Sequence, residues 1–187
     1  MRARTVLLPL WLAAEAVAQS PAAGRLDEVA RIASVMVDGD VARRIQTPRS
    51  VAAMLDPKPV EPWAASDNYE VNHEAFLATK KTLLRLARLC DSPCDVNLWM
   101  PVASTPPRVQ VVMRNVHEMS QFWPWGALQQ EMPAEMKQVL AEGKRIIVRR
   151  TPGMTSVLAP VYDSLGDIAG LVEVAGRKRP DPQENVQ

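Results

Sequence analysis

The spacing of apolar positions changes several times along the chain, and each change predicts a new element. Between Leu26 and Val37 apolar residues fall at 26, 29, 30, 33, 36 and 37, the rhythm of a helix with one buried face. Val41 to Leu55 keeps a helical pattern interrupted near Pro48, whose ring removes a backbone donor and crowds the preceding turn. The stretch DPKPVEPWAASDNYEVN is proline-rich and polar, a surface connection with Trp63 and Tyr69 as anchors. A long helix is expected from Glu74 to Leu89, where neither Gly nor Pro occurs. Phe76, Leu83, Ala87 and Cys90 recur on one of its faces, Leu77 and Leu84 widen that face, and Asn72 is placed to cap its start.

Beyond the helix the period shortens to two. DVNLWMPV and RVQVVMRNV, separated by ASTPP, predict an antiparallel strand pair. Strict alternation puts Val96, Leu98 and Met100 opposite Asn97 and Trp99 on the first strand. On the second it puts Val109, Val111 and Met113 opposite Gln110, Val112 and Arg114. The aliphatic faces are expected to pack on the long helix. Asn97, Trp99, Gln110 and Arg114 then face a covering segment from His117 to Gly143, which holds FWPWG and a helix from Pro133 to Glu142 ended by Gly143. KRIIVRR adds a strand. SVLAPVYDSLGDIAGLVEVAG closes the sheet as a hairpin, with Asp163 accepting backbone hydrogen bonds in the turn and Gly166 taking the left-handed conformation. Both of its runs are apolar at successive positions, as in strands covered on each face.

Composition fits one core: 187 residues, 47% hydrophobic, with 22 Lys and Arg against 21 acids and a net charge of +1. So even a balance supplies no chain-wide electrostatic footprint for nucleic acid or an anionic membrane. MRAR, the apolar run TVLLPLWLAA and the small residues Ala16, Val17 and Ala18 predict a cleaved signal peptide over 1–18, too short in its apolar part to span a bilayer. No later segment has the apolar length of a span, and a periplasmic or secreted location follows. The expected division is a signal peptide at 1–18, a helical segment and proline-rich connection at 19–72, a ligand-binding domain at 73–176 and a disordered tail at 177–187.

Candidate chemistry is sparse. Cys90 and Cys94 in CDSPC close a small disulfide loop in an oxidising compartment, or stand as two buried thiols at a corner. His73 and His117 lack the spacing that places two ligands on one helix face, and no phosphate loop or nucleophile motif is present, so neither metal, cofactor nor catalytic residue is expected. Trp123 and Trp125, stiffened by the proline between them, either wall a pocket or plug the core. Arg114 needs an acceptor, which a ligand carboxylate, Glu173 or Asp163 would each supply.

The order of elements, with Glu142-Gly143-Lys144, then Ala159-Pro160-Val161-Tyr162-Asp163, Gly166 and Gly170, resembles the Cache group of extracytoplasmic PAS-like sensor domains over Glu74 to Gly176. GAF domains share the sheet order and a similar ending. The resemblance implies an α/β (α+β) fold: a central antiparallel sheet with a long N-terminal helix on one face and a covering helical and loop segment on the other. It also implies a non-catalytic small-molecule pocket between sheet and cover, lined by Trp99, Gln110, Arg114, Trp123, Trp125 and Tyr162. Two departures bear on the ligand and role. Ala175 stands where relatives that bind amino acids carry an aspartate, with Glu173 two positions earlier, and the membrane helices that flank many relatives are missing. The expected function is a sensor module for a small organic ligand, such as a carboxylate, that signals to an envelope or receptor protein. The alternatives are a structural or assembly protein of the envelope without a ligand, and a GAF-like domain or a hydrolase with an unrecognised site.

Overall fold

The apolar stripe at 26, 29, 30, 33 and 37 folds as helix α1, Pro21–Met36, with Val37 just past its end. Asp38 caps the next helix, α2, Gly39–Ile45, by accepting from the backbone N–H groups of Asp40 and Val41. Helix α3, Pro48–Leu55, begins at the proline that interrupts the pattern, where a missing N–H costs nothing. The computed structural model describes residues 21–55, 72–122 and 129–177. The leader, the connection carrying Trp63 and Tyr69, the Trp123 and Trp125 pair, and the tail after Arg177 lie outside the described residues.

Asn72 caps α4, His73–Ala87, through the N–H of Ala75. Its buried face is Ala75, Phe76, Thr79, Leu83 and Leu86; Leu77 is exposed, so the face is narrower than the sequence predicts and turned toward 79 and 86. Six strands follow: β1 Cys94–Val102, β2 Arg108–Met113, β3 Gln129–Glu131, β4 Ile146–Val148, β5 Met154–Tyr162 and β6 Ile168–Arg177. Helix α5, Ala134–Glu142, lies between β3 and β4 and stops at Gly143 with φ 66°. All pairings are antiparallel, in the order β3-β2-β1-β6-β5-β4, so the first long strand and the last lie side by side at the centre. The fold is α+β. Among the described residues no helix is long and apolar enough to cross a membrane.

The β5–β6 turn follows the sequence. Asp163 Oδ1 accepts from the N–H groups of Leu165 and Asp167, and Gly166 sits at φ 87°. Both strands are buried along most of their length, with Val157, Ala159, Val161, Val172 and Val174 on one face and Leu158 and Leu171 on the other.

Two core layers result. On the helical face α1, α2 and α4 cover Val96, Leu98, Met100, Val157, Val172 and Val174. The N-terminal helices are therefore built into the same core as the strands, and the sheet face expected to rest on α4 alone is shared with α1, which lies over β5 and β6. Gly176 allows the close approach, since a Cβ there would stand 3.2 Å from Leu26. On the opposite face Trp99, Val109, Val111, Phe122, Met136, Val139, Val148, Leu158 and Leu171 pack together, Met136 and Val139 from α5. Arg177, expected to open the tail, is the last residue of β6.

Strand β2 overturns the predicted sidedness. Leu98 pairs with Met113 but Trp99 pairs with Val111, so one step on β1 answers two on β2 and Val112 is the extra residue of a bulge. Val112 and Met113 consequently share the helical face, while Val109 and Val111 turn to the other side with Trp99. Gln110 points to the helical face, where its Oε1 accepts from Gln46 at 2.7 Å.

Candidate functional site

The predicted ligand-binding residues do not converge. Trp99 is buried under the cover and donates from Nε1 to Glu173 at 3.0 Å. Gln110 lies on the opposite face of the sheet, held by Gln46. Arg114 follows the end of β2, with its carbonyl held by Lys80 of α4 and its guanidinium 3.9 Å from the exposed Glu118. Neither acceptor proposed for it is its partner in the observed ion pairs: Asp163 is bound by Arg43 at 2.8 Å, and Glu173 is enclosed by neutral donors. Tyr162 is 38% exposed and donates to the carbonyl of Gly143. The alternation argument for Arg114 fails at the bulge, because the valines assigned to the helices face away from them. Trp123 and Trp125 are outside the described residues.

Beneath the cover, the described residues hold a buried carboxylate. Glu173, on β6 opposite Asn97, is fully enclosed. Its Oε1 accepts from Ser156 Oγ at 2.6 Å and the Gln121 N–H at 3.0 Å. Its Oε2 accepts from Ser120 Oγ at 2.6 Å, Trp99 Nε1 at 3.0 Å and Asn97 Nδ2 at 3.5 Å. Burial pushes the Glu173 carboxyl above its ordinary range, and the bonds from Ser120, Ser156, Gln121 and Trp99 oppose that shift. Asp95 and Asn97 extend the network along the same strand face. Asp95 accepts from the N–H groups of His117 and Met119, and Asn97 bonds the Met119 carbonyl and the Asn115 N–H. The alternation Asp95, Asn97, Trp99 thus seats the loop from 115 to 122 on the sheet, satisfying backbone groups that an apolar face would leave unpaired. A run of polar residues at alternate positions on a strand that is otherwise buried is the signal for this network in the sequence.

An open cleft of about 380 Å³ lies elsewhere, at the end of the sheet where α1 starts and β6 finishes. Ala23 and Leu26 of α1 and Met154 of β5 give it an apolar floor. Arg149, Arg150, Thr151, Thr155, Ser92 and Arg177 surround it. Thr151 to Met154 form the β4–β5 turn, closed by a bond from the Met154 N–H to the Thr151 carbonyl with Gly153 at φ 74°. Met154 pairs with Arg177 across the strands, which brings the turn beside the end of β6. Arg150 is engaged: it pairs with Glu135, whose carboxyl it holds below the usual range, and lies 4.7 Å over the Phe122 ring. Among the described residues Arg149 and Arg177 form no ion pair, and no carboxylate lines the cleft. Sequence reasoning missed this place because Arg149 and Arg177 are 28 positions apart and read separately as a strand flank and a tail.

A second depression of about 410 Å³ surrounds the disulfide that joins Cys90 to Cys94. Arg88, Asp91 and Asp95 all line it, so its charge is mixed, and Asp95 is already committed to the loop backbone. Among the described residues no group of three His, Cys, Asp or Glu side chains converges as a metal site. No family model matches the chain, and no curated protein matches it.

Proposed function

We propose that the chain is a non-catalytic small-molecule-binding module of the Cache-type, PAS-like class, working in the periplasm or outside the cell and passing ligand binding to an envelope or receptor protein. The observation that carries this reading is the cleft at the end of the sheet, concave, floored by apolar side chains and rimmed by polar groups, at a volume in the range of small-molecule sites. The antiparallel sheet, with helices on one face and a loop and short helix on the other, supports the PAS-like part of the proposal. The signal-peptide pattern at 1–18 and the Cys90–Cys94 disulfide support an oxidising compartment. Binding without catalysis is favoured because Glu173, the carboxylate with the raised pKa, is sealed from solvent with both oxygens already bonded.

The buried side chains beneath α5 favour a second reading, an envelope structural protein that has the fold without a ligand. Trp99, Phe122, Met136 and Val139 occupy the space beneath the cover where a PAS-like pocket is expected. A thermal-shift screen of the full chain against carboxylates, amino acids and purines separates the two. A binding module gives a saturable rise in Tm with at least one class, because a ligand of the folded state stabilises it by mass action. A flat response across the screen supports the structural reading.

A further inference from the structure

We propose that the outer face of α4 is a docking surface for an anionic lipid bilayer, held by Lys81, Arg85 and Arg88 and by the shallow entry of Leu77 and its apolar neighbours. It concerns a different surface from the cleft, so it stands or falls apart from the binding-module reading. The helix carries more apolar positions than the core takes in. Ala75, Phe76, Thr79, Leu83 and Leu86 are buried, whereas Leu77 is 42% exposed and Leu84 is only half-buried. Leu77, Lys81, Leu84 and Arg88 follow one another at helical steps of four, three and four, and Arg85 stands four after Lys81, so these five form one stripe on the side away from the buried face. The apolar part continues past the helix. Val116, 71% exposed, lines one depression with Leu84 and Arg88, and Lys80 holds the end of β2 against α4 through the Arg114 carbonyl.

Positive charge is gathered on the same helix. From His73 to Arg88 the basic residues are Lys80, Lys81, Arg85 and Arg88 and the acid is Glu74, in a chain whose net charge is +1. Lys81, Arg85 and Arg88 are exposed and form no ion pair among the described residues. Asp91, just past the helix, pairs with Arg25, Glu118 pairs with Arg114, and the buried Asp95 carboxylate is bonded to the loop backbone. The charge on the stripe is therefore left for an external anion. Cations on long stems reach a plane of lipid phosphates while single aliphatic side chains enter the headgroup layer between them, and each cation near an anionic leaflet adds to the attraction. Leu77, Lys81 and Arg85 stand on the outside of one helix rather than in a groove, which suits a plane of headgroups better than an inserted peptide.

The test is co-sedimentation of the full chain with phosphatidylcholine vesicles, with and without phosphatidylglycerol, at low salt and at about 0.15 M, where the Debye length is ~8 Å. The apolar run TVLLPLWLAA would partition without regard to lipid charge, so the quantity read is the excess bound to anionic over neutral vesicles. The wild type is expected to show that excess and to lose part of it as salt is added. Arg85→Glu should lower partitioning onto anionic vesicles at least about tenfold, and Lys81→Glu with Arg88→Glu should abolish the excess. Leu77→Ser should weaken it, while Lys137→Glu, the same charge change on α5 across the sheet, should leave it in place. Circular dichroism on each variant establishes that it is folded. No excess in the wild type, or an excess that both α4 charge variants leave intact, overturns the docking surface. An equal loss in Lys137→Glu would mark attraction by net charge alone and overturns it as well. Undiminished partitioning of Leu77→Ser overturns the apolar entry. Binding to polyglutamate in place of vesicles, lost in Arg85→Glu, would make the face a protein contact and overturns the lipid assignment.

Discussion

Glu173 shows how a single residue can set the pH response of the fold. Its carboxyl is raised by burial, so the folded chain holds a proton that the unfolded chain releases. The stabilisation linked to that proton is complete below the ordinary glutamate value of 4.5 and is lost as pH rises through the higher folded value. Glu135, held low by Arg150, acts in the opposite sense, so the informative quantity is the difference between wild type and variant. Glu173→Gln should remove the fall in stability above pH ~4.5, measured as a gain in denaturant midpoint relative to wild type at neutral pH and little gain at acid pH. Glu173→Ala leaves Ser120, Ser156, Trp99 and the Gln121 N–H without their acceptor and should cost about 3 kcal/mol or more. Gly39 is another sensitive position. A Cβ there would lie 2.4 Å from the Tyr162 carbonyl oxygen, and Gly39→Ala should destabilise by about 1–3 kcal/mol in chemical denaturation as α2 is pushed from the end of β5.

At the scale of elements, the parts legible in the sequence are those fixed by local chemistry. The Asp163 to Gly166 turn, the Asn72 cap and the Gly143 stop stand where their side chains or missing side chains require. The sidedness of β2 was not legible, because Val109, Val111, Val112 and Met113 are all apolar and an inserted residue leaves no trace in such a run. That one residue moved Gln110 to the helical face and removed the argument placing Arg114 under the cover. The buried face of α4 takes in Thr79 and Leu86 and leaves Leu77 out, a choice that the sequence does not reveal because Leu77 satisfies the helical period as well as Thr79 does. At the corner after α4, the Cys90–Cys94 bond closes a loop too short to remove much entropy from the unfolded chain. Replacing both cysteines by serine should cost about 1–2 kcal/mol, read from the denaturant midpoint.

For the molecule as a whole, the periodicity of α1 was visible, but what it covered was not. A boundary at His73 makes a self-sufficient unit of the strands on paper, yet Leu26, Val29, Ala30, Ala33 and Val37 complete the core over β5 and β6. A chain beginning at residue 72 should therefore expose the apolar face of Val157, Ala159, Val161, Val172 and Val174, bind a hydrophobic dye and lose its cooperative melt. A sharp, dye-free transition in that fragment would show that α1 is dispensable. The cleft was still less legible than the core, because it is assembled from a helix start, a turn and a strand end that only the tertiary fold brings together.

The closeness of Leu26 to Gly176 also governs how the molecule would yield to force. Helix α1 passes from Gly176 near its start to Pro160 near its end, where Ser34 bonds the Pro160 carbonyl, so it runs against the direction of β6. A load applied at residues 21 and 177 would act at one end of that contact and peel the helix from the strand, breaking a few side-chain contacts at a time. Under an optical trap the first extension should be low in force and reversible, while the sheet, with β6 bonded on both sides, holds.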